Sequence, residues 1–225
     1  MSGVELEPFW LSFKLASVTA LLLFFISLPL AWYLSQTKSK FKPFLEAITA
    51  MPIVLPPSVL GFYLLICLSP DSFLGSFLQN SLGVKPLFSF EGLVIASVIY
   101  SFPFMLQPLQ SGFESLNRSM IEASFLSGKG ELVTLFRVAL PNIKPSLITA
   151  FIITFAHTVG EFGVVLMVGG SIPEETRVAS VAIYELVEGM EYSKAHIYSA
   201  IMVLFSFLIL LSVYFVNHKL RLKSG

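Results

Sequence analysis

The sequence predicts an all-α integral membrane protein of five transmembrane helices, with its N-terminus outside and its C-terminus in the cytoplasm. Three observations carry this. There are too few charges for a soluble domain, there are five apolar runs near spanning length, and Lys and Arg are unevenly shared between alternate connections. Of 225 residues, 55% are hydrophobic and only 12% charged, where an ordinary globular chain is about a quarter charged. This balance excludes a disordered chain. The single cysteine, Cys67, excludes a disulfide scaffold and reads as a small apolar packing residue. Fourteen Lys+Arg against 14 Asp+Glu leaves no basic excess for a nucleic-acid partner.

A spanning helix needs about 20 mostly apolar residues, because each adds ~1.5 Å across a ~30 Å hydrocarbon layer. The first run, residues 15–34, follows Phe9 and Trp10 and contains no charge. The second, residues 48–68, contains Pro52, Pro56 and Pro57. The third covers residues 93–109, the fourth residues 147–168 with His157 and Glu161 inside it, and the fifth residues 197–216. A soluble helix shows a polar face repeating every 3.6 residues. Runs one, two, three and five have no charge in their central parts, so lipid rather than water is their expected surroundings.

Cytoplasmic connections retain Lys and Arg. One set of alternate connections holds Lys38, Lys40, Lys42, Arg118, Lys129, Arg137, Lys144, Lys219, Arg221 and Lys223; the other holds Lys85, Arg177 and Lys194. The first set is therefore read as cytoplasmic. The N-terminus, with Glu5 and Glu7 ahead of the first run, does not read as a cleavable signal. In the outer connections, the apolar residues between Phe73 and Leu82 suggest a short interfacial helix, and residues 178–186 suggest another.

The inner connection of residues 114–145 is long enough to be functional in its own right. Its helical segment at residues 121–126 stops at Gly128 and Gly130. A second amphipathic segment, residues 131–138, is expected to end at Pro141. Two short helices meeting at glycines would make a compact knob. Gly128 is suited to a helix C-cap with positive φ. The connection holds no nucleophile–base pair, phosphate loop or metal-ligand cluster, so neither a cofactor nor a catalytic site is expected. His157, His196 and His218 are scattered, which argues against a membrane enzyme. The absence of an internal repeat argues against a secondary transporter.

Within this connection, Glu122-Ala123-Ser124, three residues, Gly128, nine residues, then Val138-Ala139-Leu140-Pro141 resembles the EAA loop of type I ABC importer permeases. Ser124 and Val138 replace the family's alanine and isoleucine. Two further segments are similar to molybdate permeases of that family. One is Met51-Pro52-Ile53-Val54-Leu55-Pro56-Pro57 with Gly61-Phe62. The other is Gly160-Glu161-Phe162-Gly163 followed by Ser171-Ile172-Pro173, Thr176-Arg177 and Ala182-Ile183-Tyr184. Sulfate permeases share much of this pattern, and His157 stands where an arginine is common.

The resemblance covers residues 9–216, read as one permease domain of the type I importer fold. It implies a non-catalytic subunit of the bacterial inner membrane that works as a homodimer. It also implies a periplasmic or extracellular oxyanion-binding receptor and a cytoplasmic ATP-binding subunit. The cargo would be molybdate, with tungstate or sulfate as the alternative. Glu122, Ala123, Ser124, Gly128, Leu140 and Pro141 would couple the chain to the ATPase.

The three prolines of the second run remove backbone donors, and such a broken helix needs protein or a cavity around it. Pro52, Pro56 and Pro57 are therefore expected at the bundle interior or the dimer axis, or else in a packed kink. His157 and Glu161, four apart, are expected on one helical face, with an ion pair making Glu161 tolerable. Gly160 and Gly163 would allow close helix approach. These four would face the translocation path or the partner, or form a polar clasp between helices. With no Lys or Arg within the spans beyond Lys14, the path reads as a conduit rather than a tight binding site.

Overall fold

The computed structural model describes residues 5–224, with side chains described to residue 215 except that of residue 213. The described residues are helical or irregular, with no strand. The first helix, α1 (Glu7–Gln36), starts with Pro8 in its first turn, where a missing N–H does no harm. A basic link leads to α2 (Lys42–Val54) and α3 (Pro57–Leu68). These two meet at 109° across Leu55 and Pro56, because Pro57 can begin a helix but not continue one.

The expected short helix in this connection, α4 (Phe73–Leu82), is capped at its start by Ser72, whose Oγ accepts from the Gly75 N–H, and at its end by left-handed Gly83. The long α5 (Phe90–Glu114) is capped likewise by Ser89, which accepts from Gly92. After α6 (Arg118–Leu126) and α7 (Glu131–Thr134) come a π-helical turn (Leu135–Ala139) and α8 (Leu140–Asn142). Then follow α9 (Lys144–Val159), α10 (Gly163–Gly169), α11 (Ala179–Glu188) and α12 (Tyr192–Ser224).

Helices α1, α5 and α9 form the central packing. Ala20, Leu23 and Ala31 of α1 interlock with Met105, Leu106 and Leu109 of α5 and Ala150 of α9. A second cluster joins Leu60, Leu64 and Leu68 of α3 to Ala96 of α5 and to Val164 and Val168 of α10. Side chains such as Leu21, Phe25 and Ile26 on α1 and Val203, Leu204 and Phe207 on α12 are exposed. A continuous apolar exterior of this kind is what a bilayer covers. Helices α1, α5 and α12 are each long and apolar enough to cross a membrane, and the count rises to at most five if each of two bent pairs, α2 with α3 and Glu131–Asn142 with α9, is one span.

The fourth run departs from expectation. It is not one helix over residues 147–168 but α9 and α10 separated at Gly160, Glu161 and Phe162. Gly160 caps α9 and Phe162 adopts φ −126°, ψ −62°, outside the helical well. Cys67 is exposed rather than packed.

The two ends of the bundle are tied by different groups. At one end, Arg177 donates to Glu185 at 2.8 Å and to Glu5 at 3.0 Å, and Tyr198 binds the backbone of Glu5. Partial burial pulls the Arg177 pKa down, but the two carboxylates outweigh it and hold the guanidinium above its ordinary value. At the other end, Lys42 binds Glu114 at 2.8 Å, and Trp32 Nε1 donates to Glu131 at 3.3 Å.

Candidate functional site

The segment between α5 and α9 folds into the expected knob. Asn117 caps α6 by accepting from the Ser119 N–H, one of the orphan donors of a helix start. The chain reverses at Gly128, where φ is +73° and a side chain would be strained. Glu122 and Ala123 lie on the exposed face of α6, whereas Ser124 is buried. Its hydroxyl meets that of Thr134 on α7 at 2.8 Å, so the residue replacing alanine in the motif stitches the two short helices together.

The knob is not a free flap. Ile121, Leu135, Ala139 and Ile143 are buried in the same cluster as Trp32 and Phe113, and those two rings pack edge to face at 5.2 Å. Its far side presents Leu126, Leu132 and Phe136, exposed at 90%, 69% and 60%.

Pro141 does not end the second knob helix. The chain stays helical from Glu131 to Asn142 and turns by 80° only at Ile143, before α9. Pro141 lacks the N–H that would bond to Arg137 in an α-helix. The preceding turn widens to π geometry, with the Leu140 N–H reaching Leu135 O. Half-buried Leu140 packs against the α1–α5 cluster.

The two broken runs meet. An ideal Cβ built on Gly163, at the start of α10, would lie 2.8 Å from Cβ of Pro57 at the start of α3, and one built on Gly61 would lie 2.8 Å from Cβ of Met167. Close approach therefore depends on Gly163 and Gly61. Gly160 is exposed and would meet only its own helix's carbonyls at 3.7 Å, so it plays no part in the approach. Of the prolines, Pro52 is buried while Pro56 and Pro57 are exposed on the chain surface.

His157 and Glu161 do not share a helical face, because the break intervenes, and no ion pair joins them among the described residues. The His157 ring stacks on Phe104 at 3.8 Å and tilts against Tyr100 at 5.0 Å. Glu161 is 4% exposed, and neither carboxyl oxygen makes a hydrogen bond among the described residues. Its backbone carbonyl accepts from Ser180 Oγ at 2.6 Å, which anchors the break to α11. Nearby, Ser101 and Thr158 hydroxyls meet at 2.9 Å and bridge α5 to α9.

A polar group that the apolar runs concealed lies at the other end of the second and third runs. Gln110 Nε2 donates to Glu46 at 2.5 Å and to Glu114 at 3.0 Å, and Lys42 binds both carboxylates. The signal was available as Gln107, Gln110 and Glu114, spaced three and four apart on one face of α5. Among the described residues, no cluster of His, Cys, Asp and Glu could hold a metal ion.

The chain resembles known proteins over nearly its whole length. It is 48% identical over 215 residues to the molybdenum transport system permease protein ModB of Azotobacter vinelandii, covering 95% of each chain. It is 30% identical over 210 residues to a probable sulfate transport system permease protein, cysT, of Chlorella vulgaris, covering 93% of this chain and 79% of that one. Its fold matches the crystal structure of a bacterial ABC transporter that imports the acidic polysaccharide alginate, with a TM-score of 0.78 at 18% identity, over 97% of this chain and 80% of the other. The family model of the binding-protein-dependent transport system inner membrane component matches residues 16–222, and with the knob and the permease-like fold it establishes that the chain belongs to that family of membrane-embedded transport proteins.

Proposed function

We propose that this chain is the translocating subunit of an ATP-driven molybdate importer, working as a homodimer with its N-terminus outside and its C-terminus in the cytoplasm. The observation that carries the cargo is the 48% identity to a molybdenum permease across 95% of both chains, against 30% for the sulfate permease. The contacts support the topology. The basic connections gather with the knob at one end, and Glu5, Arg177 and Glu185 gather at the other.

Glu122, Ala123 and the exposed Leu126, Leu132 and Phe136 offer the docking face for a separate ATP-binding subunit. A push on that face reaches the bundle because Ile121, Leu135 and Ala139 share a core with α1 and α5. A packed core transmits displacement rather than absorbing it. The bends at Leu55–Pro56 and Gly160–Phe162 are where the spans can pivot, and Pro57 against Gly163 links them. Pro56, Pro57 and Gly160 face outward from this chain toward the path or the second copy. Glu161 is enclosed within the chain and is not placed as a ligand for an anion; the polar clasp between α5 and α9 is the Ser101–Thr158 hydroxyl pair. A receptor outside the membrane supplies the affinity that the spans lack.

The test is uptake of labelled molybdate by the complete complex in the presence of excess sulfate or tungstate. Molybdate uptake that persists in excess sulfate supports the reading. Suppression of molybdate uptake by equimolar sulfate would reassign the cargo.

A further inference from the structure

We propose that the polar cleft between α2 and α5 is the aqueous inner mouth of the anion path, closed on its cytoplasmic side by the Lys42–Glu114 bridge. This rests on the chain being an oxyanion permease. The cleft, about 280 Å³, is lined by Glu46, Thr49, Gln107, Gln110, Ser111 and Glu114, with Ala50 among them. A second polar cavity of about 350 Å³, lined by Gln36, Lys42, Glu114 and Arg118 among others, lies at the root of the knob. Glu114 belongs to both, and Lys42 bridges to it at 2.8 Å.

Depth argues for water in the first cleft. Gln107 lies inside the third apolar run, two residues from its end at Leu109, and Ser111 lies two residues beyond it. Gln107 and Ser111 are exposed on this chain. An uncompensated polar side chain such as Gln107 within a span is expensive against lipid and ordinarily faces a cavity or a partner. On α2, Thr49 and Glu46 face the same space, so two helices contribute polar groups to one side.

The bridge has the character of a latch. Its side chains are 24% and 42% exposed, and exposed ion pairs hold weakly, so motion of the knob can break it. Glu114 is separated from α6 only by Ser115, Leu116 and Asn117, which ties the latch to the docking face. While closed, two carboxylates occupy the Lys42 ammonium. Once open, that ammonium and Arg118 are free to offset the charge of a departing dianion that Glu46 and Glu114 would otherwise repel.

The test uses the complete complex in inside-out vesicles, on a Cys67→Ala background, with a membrane-impermeant maleimide added from the cytoplasmic side. Cysteines placed singly at Thr49, Gln107 and Ser111 are expected to label severalfold faster than one at the exposed apolar Ile99. Lys42→Met and, independently, Glu114→Gln are expected to raise labelling at residue 107 severalfold, and the exchange Lys42→Glu with Glu114→Lys to return it to the starting rate. Labelling of all three cysteines no faster than at residue 99 would place the cleft against lipid and overturn the proposal. Fast labelling unchanged by either single variant in assembled complexes would overturn the latch. The labelling needs no substrate, so transport of sulfate instead of molybdate would leave its outcome intact and would be seen only in uptake.

Discussion

Gly163 and Gly160 belong to one motif, yet the structure predicts opposite responses to alanine. At Gly163 the added Cβ would stand 2.8 Å from the ring Cβ of Pro57. Ordinary carbon contacts begin near 3.5 Å, and a proline ring cannot rotate away. Overpacking of this kind costs about 1–3 kcal/mol. Removing glycine's unfolded-state freedom returns about 0.4–1 kcal/mol, leaving a net loss of about 1–2 kcal/mol. For a chain of this size that lowers the melting temperature by roughly 2–8 °C. At Gly160, in αR geometry with φ −86° and nothing nearer than 3.7 Å, alanine is expected to be neutral or slightly stabilising. The assay is thermal unfolding of both purified variants in one detergent, alongside uptake by the assembled complex. Equal melting temperatures for the two variants would refute the close crossing of α3 and α10.

Three further outcomes follow from the knob and the break. Ser124→Ala strands the buried Thr134 hydroxyl and is expected to cost about 1–3 kcal/mol; adding Thr134→Val should recover most of the loss, as thermal unfolding of the pair will show. Gly128→Ala meets no neighbour but must hold φ +73°, a strain of about 1–2 kcal/mol. It should weaken co-purification with the ATP-binding subunit, and Gly128→Asn should do so less. Glu161→Gln replaces a buried carboxyl that makes no hydrogen bond among the described residues, so assembly should persist and the melting temperature should not fall. A fall would mean that the carboxyl has a stabilising partner elsewhere in the complex.

How far the residues speak unaided differs between these places. Residues 15–34 announce α1 because length and an unbroken apolar run leave lipid as the only economical surroundings. Pro56-Pro57 announces the break after α2 because a missing donor is a local defect that needs no neighbour to reveal it. The EAA-like loop was legible for the same reason: its glycines and short amphipathic turns act within a few residues of themselves.

The fourth run was not legible. Its apolar content promised one helix, and spacing put His157 and Glu161 on one face of it. The break at Gly160–Phe162 instead depends on Pro57 pressing against Gly163 and on Ser180 holding the Glu161 carbonyl, both contributed by distant segments. Ser124 could be seen as a departure from alanine, but not that Thr134 receives it. Lys42, read as a topology marker, meets Glu114 only when α2 lies along α5.

Hydropathy, proline and glycine act through solvent and local backbone geometry, so the sequence alone determined membrane residence, the first break and the knob. Which polar groups pair, which glycine is crowded and where the last run divides are matters of contact between residues far apart in the chain. Only the packed bundle decides them, because each contact's energy exists only after the helices have met.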